Sequence, residues 1–131
     1  MLTLDTPGVI AAADRRDRDH GAVSAAMASE SSTVIPAVIL AETTSMLRRR
    51  LGPLAERAFL EGLIEGTPLV DHEDRLSRVL ALMSTYADLG VSFADAAVVA
   101  CAERHGGTIL TMDRRAFDVI ARGEGSITLV P

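Results

Sequence analysis

The sequence contains no lysine and no tryptophan, has a single cysteine, and lacks any apolar run long enough to cross a membrane. Because Cys101 is alone, we expect neither an internal disulfide nor a cysteine-based metal site. The longest apolar run, Val34 to Ala41, has eight residues, whereas a membrane-spanning helix needs about 20. The N-terminus does not resemble a secretory signal. We therefore expect a cytoplasmic protein that is not anchored in a membrane.

All thirteen basic residues are arginines, and the net charge is −5. P-loop nucleotide-binding proteins, receiver-type phosphoacceptor domains and haloacid-dehalogenase-type phosphatases rely on a lysine near the phosphate, so the composition argues against all three. The negative charge argues against a protein that binds nucleic acid through a broad positive field. Local arginine clusters have two interpretations, a solvated surface or bidentate phosphate contacts. The clusters are Arg15, Arg16 and Arg18; Arg48 to Arg50; and Arg114 and Arg115.

Short β-prone runs alternate with longer helical patterns along residues 1–131, which predicts a single domain. The predicted strands are Leu2 to Leu4, Thr33 to Ile35, Pro68 to Val70, Thr108 to Thr111 and Ile127 to Val130. The predicted helices are Gly8 to Ala13, His20 to Ser29, Ala37 to Arg50, Pro53 to Glu65, Glu73 to Asp88, Phe93 to His105 and Arg114 to Ala121. This alternation predicts a mostly parallel sheet covered by helices on both faces, a three-layer α/β/α sandwich.

Four acidic residues fall near predicted strand ends or helix starts, and each has a structural explanation of its own. Pro7 at the first helical position would make Thr6 the N-cap and leave Asp5 outside the cap, beside the helix dipole. Glu42 lies on an apolar helix face and either reaches past it to water or has a buried partner. Asp95 has capping-box spacing from Ser92, and Asp113 is an acceptable N-cap.

Considered together, the four acids indicate a binding site, because ligands of a doubly wound sheet bind in the crevice outside the carboxyl ends of its strands. Carboxylates that converge there repel one another unless cations neutralise them. Oxygen ligands select hard divalent ions, so Mg²⁺ or Mn²⁺ is the expected cofactor. Such ions activate water for phosphodiester cleavage. The hypothesis is a metal-dependent nuclease site.

Three segments carry a resemblance that spans essentially the whole chain. They are the Asp-Thr pair after the first strand, "ILAETTSML" and "YADLGVSFADAAVVACAERHGGTILTMDRRAF". Together they resemble the PIN-domain family, and most closely its VapC-type toxins. The most specific part runs from Tyr86 to Phe117, where the acid opening an alanine-rich helix and the T-x-D after a strand occur in the family's order.

The resemblance implies a five-stranded sheet of order 3-2-1-4-5 and Mg²⁺- or Mn²⁺-dependent endoribonuclease activity. It also implies homodimerisation and inhibition by a cognate VapB-type antitoxin. The implied catalytic acids are Asp5, Glu42, Asp95 and Asp113, with Asp5, Asp95 and Asp113 as metal-binding residues. Thr6, Ser92 and Thr111 correspond to supporting positions. Arg15, Arg16, Arg114 and Arg115 are candidate contacts to RNA phosphates.

The sequence departs from the family pattern after the first acid, where Pro7-Gly8 stands, and at Arg115, where some relatives carry a further acid. The helical pair from Ala37 to Glu65 carries hydrophobic residues that form either core or a groove for an amphipathic antitoxin helix. Two other functions stay open: an RNA-processing nuclease without an antitoxin, and a non-catalytic binding module that keeps the acids for structure.

Overall fold

Five short strands form a parallel sheet in the computed structural model of the chain, which describes residues 1–73 and 75–131. The order is β3-β2-β1-β4-β5, as predicted. Leu4 of β1 lies opposite Leu110 of β4, and Thr3 lies opposite Val34 of β2. From β1 the chain first adds β2 and β3 on one side of the sheet and later adds β4 and β5 on the other side. The topological switch point therefore lies between β1 and β4. The strands are Leu2–Leu4, Thr33–Pro36, Leu69–Asp71, Thr108–Leu110 and Thr128–Val130.

Helices cover both faces of this sheet and complete the predicted three-layer sandwich. Helix α6 packs over β1, β2 and β4, and its residues from Ala96 to Ala102 are all buried. Its alanines and valines are small, which allows a helix to lie close to a sheet. The helices are α1 Thr6–Ala13, α2 His20–Ala28, α3 Leu40–Leu51, α4 Pro53–Ile64, α5 Leu76–Thr85, α6 Phe93–Arg104 and α7 Arg114–Glu124.

The helix boundaries follow local backbone chemistry. Gly52 adopts φ 94° between α3 and α4, and Pro53 then begins α4 without an amide to satisfy. Helix α7 ends at Gly125 in the left-handed conformation. The predicted break between the helices ending at Arg50 and beginning at Pro53 is confirmed, whereas the last helix, predicted to end at Ala121, continues to Glu124.

Two predicted helices begin later than expected. The predicted helix from Ala37 consists of a 3-10 turn, Ala37–Ile39, followed by α3. The helix predicted from Glu73 begins at Leu76 and ends at Thr85, before a second 3-10 turn; Asp74, which that prediction included, lies outside the described residues. In the described part of the chain, each helix is too short or too polar to cross a bilayer.

The core is built from the strands and the helix faces that meet them. Leu2, Ile35, Ile109 and Leu110 are fully buried in the sheet, and Phe117 of α7 closes one side. Thr3 is a polar residue within this core. Its hydroxyl oxygen is buried and has no hydrogen-bond partner among the described residues.

Candidate functional site

Asp5 follows β1 and caps α1. Its Oδ1 accepts the amide of Gly8 at 2.7 Å, and the side chain is almost completely buried. The helix begins at Thr6, so the prediction that Thr6 caps it and leaves Asp5 outside was wrong: Pro7 occupies the second helical position. The cap places the carboxylate at the carboxyl edge of the sheet, beside the switch point.

Glu42 lies in the first turn of α3, and its carboxylate reaches Thr6. The Thr6 hydroxyl donates to Glu42 Oε2 at 3.2 Å and lies 2.8 Å from the hydroxyl of Thr43. Glu42 itself is exposed, whereas both threonines are buried. The carboxylate therefore has a polar partner at the site and does not merely reach past an apolar face to solvent.

Asp95 is the third residue of α6, and Ser92 is its N-cap. The Ser92 hydroxyl accepts the amide of Asp95 at 3.1 Å, as the capping-box spacing predicts. The Asp95 side chain is partly buried. Because α6 runs back toward the start of β4, its N-terminus lies at the carboxyl edge of the sheet.

Asp113 is the N-cap of α7, after β4. Its carboxylate accepts the amide of Arg115 at 3.4 Å, and its own amide donates to the hydroxyl of Thr111 at 3.2 Å. Thr111 is fully buried, and Asp113 is exposed. The capping interpretation of Asp113 is confirmed, and it leaves one face of the carboxylate open.

These residues line two crevices that share Asp95. One, of about 140 Å³, is lined by Asp5, Thr6, Glu42, Ser92 and Asp95. The other, of about 240 Å³, is lined by Asp95, Asp113 and Arg115. The structure thus brings together the four acids predicted from the sequence, Asp5, Glu42, Asp95 and Asp113.

The negative charges of these acids raise one another's pKa values. Burial raises the pKa of Asp5 to about 6, against contacts with Thr111 and the Gly8 amide that lower it, and the charges of Asp95 and Asp113 raise it further. The pKa of Asp95 is also raised, first by burial and then by Asp113 and Glu42, although Ser92 opposes the rise. Removing such mutually repelling carboxylates from water disfavours their charged forms.

No described basic side chain, in residues 1–73 or 75–131, forms a salt bridge with any of the four acids. The cluster therefore has unbalanced negative charge, and its donors are all oxygen. Hard divalent cations suit such a donor set.

The four arginines predicted to contact RNA phosphates differ in how close they lie to the acids. Arg115 lines the crevice beside Asp95 and Asp113. Arg114 donates to the carbonyl of Pro131 at 3.1 Å and lies 3.4 Å from Asp118. Arg15 and Arg16 are exposed on the segment between α1 and α2.

A second group of potential metal ligands was not anticipated from the sequence. Asp71, Cys101 and His105 have ligand atoms within 4.8 Å of one another. Asp71 Oδ2, however, accepts from Arg104 Nη2 at 2.7 Å and lies 3.0 Å from His105 Nε2. Burial, and then the charge of Asp71, raise the pKa of the Cys101 thiol to about 12. This group carries its own cation and a protonated thiol, so it fits a metal less well than the four acids do.

Comparison with known proteins agrees with the fold. A family model for the PIN domain matches residues 2–123, which is most of the chain. The chain therefore belongs to the PIN-domain family, as its motifs predicted.

Among individual proteins, the chain is similar to Ribonuclease VapC26 of Mycobacterium tuberculosis (strain ATCC 25618 / H37Rv). The two are 31% identical over 135 residues, which cover 99% of this chain and 100% of VapC26.

Solved structures show the same fold. The crystal structure of Mycobacterium tuberculosis VapC20, a sarcin-ricin loop cleaving toxin, matches with a TM-score of 0.81 at 21% identity over 100% of both chains. FitAcB from Neisseria gonorrhoeae matches with a TM-score of 0.68 at 19% identity, over 100% of this chain and 97% of that one.

Proposed function

We propose that this protein is a metal-dependent endoribonuclease and the toxin of a VapBC-type toxin–antitoxin pair. The observation that carries the proposal is the convergence of Asp5, Glu42, Asp95 and Asp113 at the switch point of a PIN-domain sheet. The similarity to Ribonuclease VapC26 over nearly the whole chain supports the same reaction class.

Asp5, Asp95 and Asp113 would hold Mg²⁺ or Mn²⁺, and Glu42 would bind the ion or orient its waters. The raised pKa values of Asp5 and Asp95 support this assignment, because ionised carboxylates in such surroundings require a nearby cation. When bound, the ion lowers the pKa of a water molecule and neutralises charge on the scissile phosphate.

The protein's own residues would fix the geometry of cleavage. The Gly8 amide holds the Asp5 carboxylate, and the Ser92 cap holds the first turn of α6, which carries Asp95. Thr111 anchors the turn that presents Asp113. Such rigid support keeps the ligands in position before substrate arrives. Cleavage would leave 5′-phosphate and 3′-hydroxyl ends.

RNA would reach the acids with help from arginine. Arg115 is the best-placed phosphate contact because it lines the crevice with Asp95 and Asp113. Arg114 would need to leave its partners, Asp118 and the Pro131 carbonyl. Arg15 and Arg16 would contact more distant phosphates. A single-stranded loop is the preferred substrate, because its bases can be splayed and read.

The proposed antitoxin would occupy an apolar groove. The hydrophobic residues in α3 and α4 that invited this idea are mostly core: Leu47 is fully buried, and Phe59 is partly buried. A groove of about 350 Å³ nevertheless lies between α1, α2 and α4, where Val9, Met27 and Phe59 form part of its lining. Its apolar walls suit an amphipathic helix.

The proposed homodimer and the cytoplasmic location rest on separate features. Exposed side chains Val38, Leu76, Leu80 and Phe93 give the chain apolar surface for a second copy. The buried, unpaired Cys101 fits a reducing compartment.

The decisive experiment treats end-labelled total RNA with the purified protein, freed of any partner, in Mg²⁺ or Mn²⁺. Wild type is compared with Asp95→Asn, and the exposed substitution Glu65→Gln serves as a charge-matched control. We expect discrete cuts with wild type and the control, and none with Asp95→Asn or with EDTA. Cleavage that persists in EDTA would contradict the proposal.

A further inference from the structure

Two threonines connect the segments that carry Asp5 and Glu42. Thr6 follows Asp5 in sequence and Thr43 follows Glu42, and their hydroxyl oxygens lie 2.8 Å apart in a buried contact. Thr6 then donates to Glu42 Oε2 at 3.2 Å. Thr43 Oγ1 also lies 2.9 Å from the carbonyl of Ile39. A continuous polar chain thus leads from the backbone of α3, across to α1, and back to the Glu42 carboxylate.

Counting protons indicates the direction of this chain. The two hydroxyls supply one proton each for three contacts. The Thr6 hydroxyl donates to Glu42 Oε2, so Thr43 is the donor in the 2.8 Å contact between the two hydroxyls. The single Thr43 proton is then shared between Thr6 Oγ1 and the Ile39 carbonyl, a bifurcated hydrogen bond. The Ile39 carbonyl does not depend on Thr43, because as an N-cap residue it accepts the first intrahelical bond of α3.

We propose that Thr43 is a positioning residue that, through Thr6, orients the Glu42 carboxylate and fixes the distance between the segments carrying Glu42 and Asp5. This inference rests on the proposed function, because it gives Glu42 a part in holding the ion or its waters. An exposed glutamate samples many conformations, and one that is oriented beforehand binds an ion more tightly because less freedom is lost on binding.

The alternative is that Thr43 serves only packing and local hydrogen bonding within α3. Thr44 provides the comparison, because its hydroxyl contacts the carbonyls of Leu40 and Ala41 on its own helix. Thr43 differs in that its hydroxyl reaches a residue of α1 beside Asp5. A substitution that removes the hydroxyl but keeps the shape separates the two interpretations.

The test measures Mn²⁺ affinity by electron paramagnetic resonance titration, together with RNA cleavage, for Thr43→Val, Thr43→Ser and the control Thr44→Val. We expect Thr43→Val to weaken Mn²⁺ binding on the order of tenfold, as is typical when a residue that orients a ligand is lost. Thr43→Ser keeps the hydroxyl and should bind like wild type, as should Thr44→Val. A larger loss for Thr43→Ser than for Thr43→Val would show that the buried methyl matters and would overturn the proposal.

A double-mutant cycle adds a second criterion. If Thr43 acts through Thr6, then Thr6→Val and Thr43→Val together should weaken Mn²⁺ binding little more than Thr6→Val alone. Additive losses would contradict the proposed path. Circular dichroism of each variant verifies that it is folded.

The outcome also separates this inference from the proposed function. Wild type that binds Mn²⁺ and cleaves RNA, with Thr43→Val unchanged from it, would overturn the role of Thr43 alone. Wild type that neither binds Mn²⁺ nor cleaves RNA would overturn both.

Discussion

At the scale of single residues, Asp5 combines a helix cap with a buried charge. The Gly8 amide stabilises its ionised form, but burial dominates and raises the pKa from 3.8 to about 6. In that window the folded protein binds more protons than the unfolded chain, so the contribution of Asp5 to stability falls as the pH rises from about 4 to about 6. Above that range the metal-free protein carries the full cost of the buried charge.

We therefore expect Asp5→Asn to stabilise the metal-free protein at pH 7. Asparagine can still accept the Gly8 amide, so the cap survives, and the shift in pKa corresponds to about 3 kcal/mol as an upper limit. Urea unfolding in EDTA from pH 4 to 7 measures the effect. The advantage of the variant should appear as the pH rises and vanish near pH 4, and lower stability of the variant at pH 7 would contradict this account.

At the scale of elements, α6 is held at both ends. Asp95 opens it at the candidate site, and Arg104 and His105 at its far end contact Asp71 at the end of β3. Burial alone would raise the pKa of Asp71, but the Glu73 amide, Arg104 and His105 outweigh it and lower the pKa to about 2. This ion pair therefore stabilises the fold above about pH 4, and the stabilisation is lost as the pH falls toward 2.

Asp71→Asn should lower the free energy of unfolding at pH 7 by about 2 kcal/mol, because it removes the partly buried carboxylate that lies nearest to the Arg104 guanidinium. Chemical denaturation of wild type and variant between pH 7 and pH 2 tests the linkage. The difference between them should shrink toward pH 2. Glu73→Gln, which alters an exposed partner of the same arginine, is the control and should have a small effect.

Helices α5, α6 and α7 meet in a second network. Arg78 donates to Glu103 at 2.8 Å and to Glu124, and the Tyr86 hydroxyl donates to Glu124 at 3.0 Å. Gly123 lies against that hydroxyl, so that a methyl group at position 123 would overlap it. With Tyr86 in this position, the network leaves no space for a side chain at position 123 of α7.

Gly123→Ala should destabilise the protein, although alanine is the better helix former by about 1 kcal/mol. The loss should be smaller in a Tyr86→Phe background, because the overlapping hydroxyl is then absent. The coupling is measured from the unfolding free energies of wild type, Gly123→Ala, Tyr86→Phe and the double variant. An equal cost in both backgrounds would show that the overlap is relieved without breaking the Tyr86–Glu124 bond.

At the scale of elements, part of the fold and of the candidate site could be predicted from the sequence. The alternation of strands and helices predicted the parallel sheet, because parallel strands require long crossovers. The positions of the four acids near strand ends and helix starts predicted that they would meet at one edge of that sheet. The N-cap of α1 was misplaced because a proline is tolerated at the second helical position as well as the first. Gly8, a departure from the expected pattern, lies where an added Cβ would come within 3.0 Å of Asp5 Oδ1. The same Cβ would lie 3.2 Å from the carbonyl of Leu110 in β4. The approach of Gly8 to Leu110, and that of Asp71 to Arg104, join residues far apart in the sequence, so no local pattern predicts them.

At the scale of the whole molecule, a net charge of −5 has to be reconciled with a polyanionic substrate. The overall field repels RNA, so binding depends on a few local contacts and on the divalent ions that we propose the acids hold. Each arginine–phosphate contact to single-stranded RNA contributes about 0.7 to the dependence of log affinity on log salt. Few contacts should therefore give a shallow dependence.

Arg115 is the residue to substitute in testing these local contacts, because it lines the crevice with Asp95 and Asp113. Arg122, in the last turn of the same helix, serves as the control. Fluorescence anisotropy would measure RNA affinity across salt concentrations, with Asp95→Asn in every protein to prevent cleavage. Arg115→Gln should weaken binding and make the salt dependence shallower by about 0.7, the loss of one phosphate contact. Arg122→Gln should bind as its parent does. Identical slopes for all three proteins would mean that RNA approaches the acids along another face, and the exposed Arg15 and Arg16 would then be the residues to substitute.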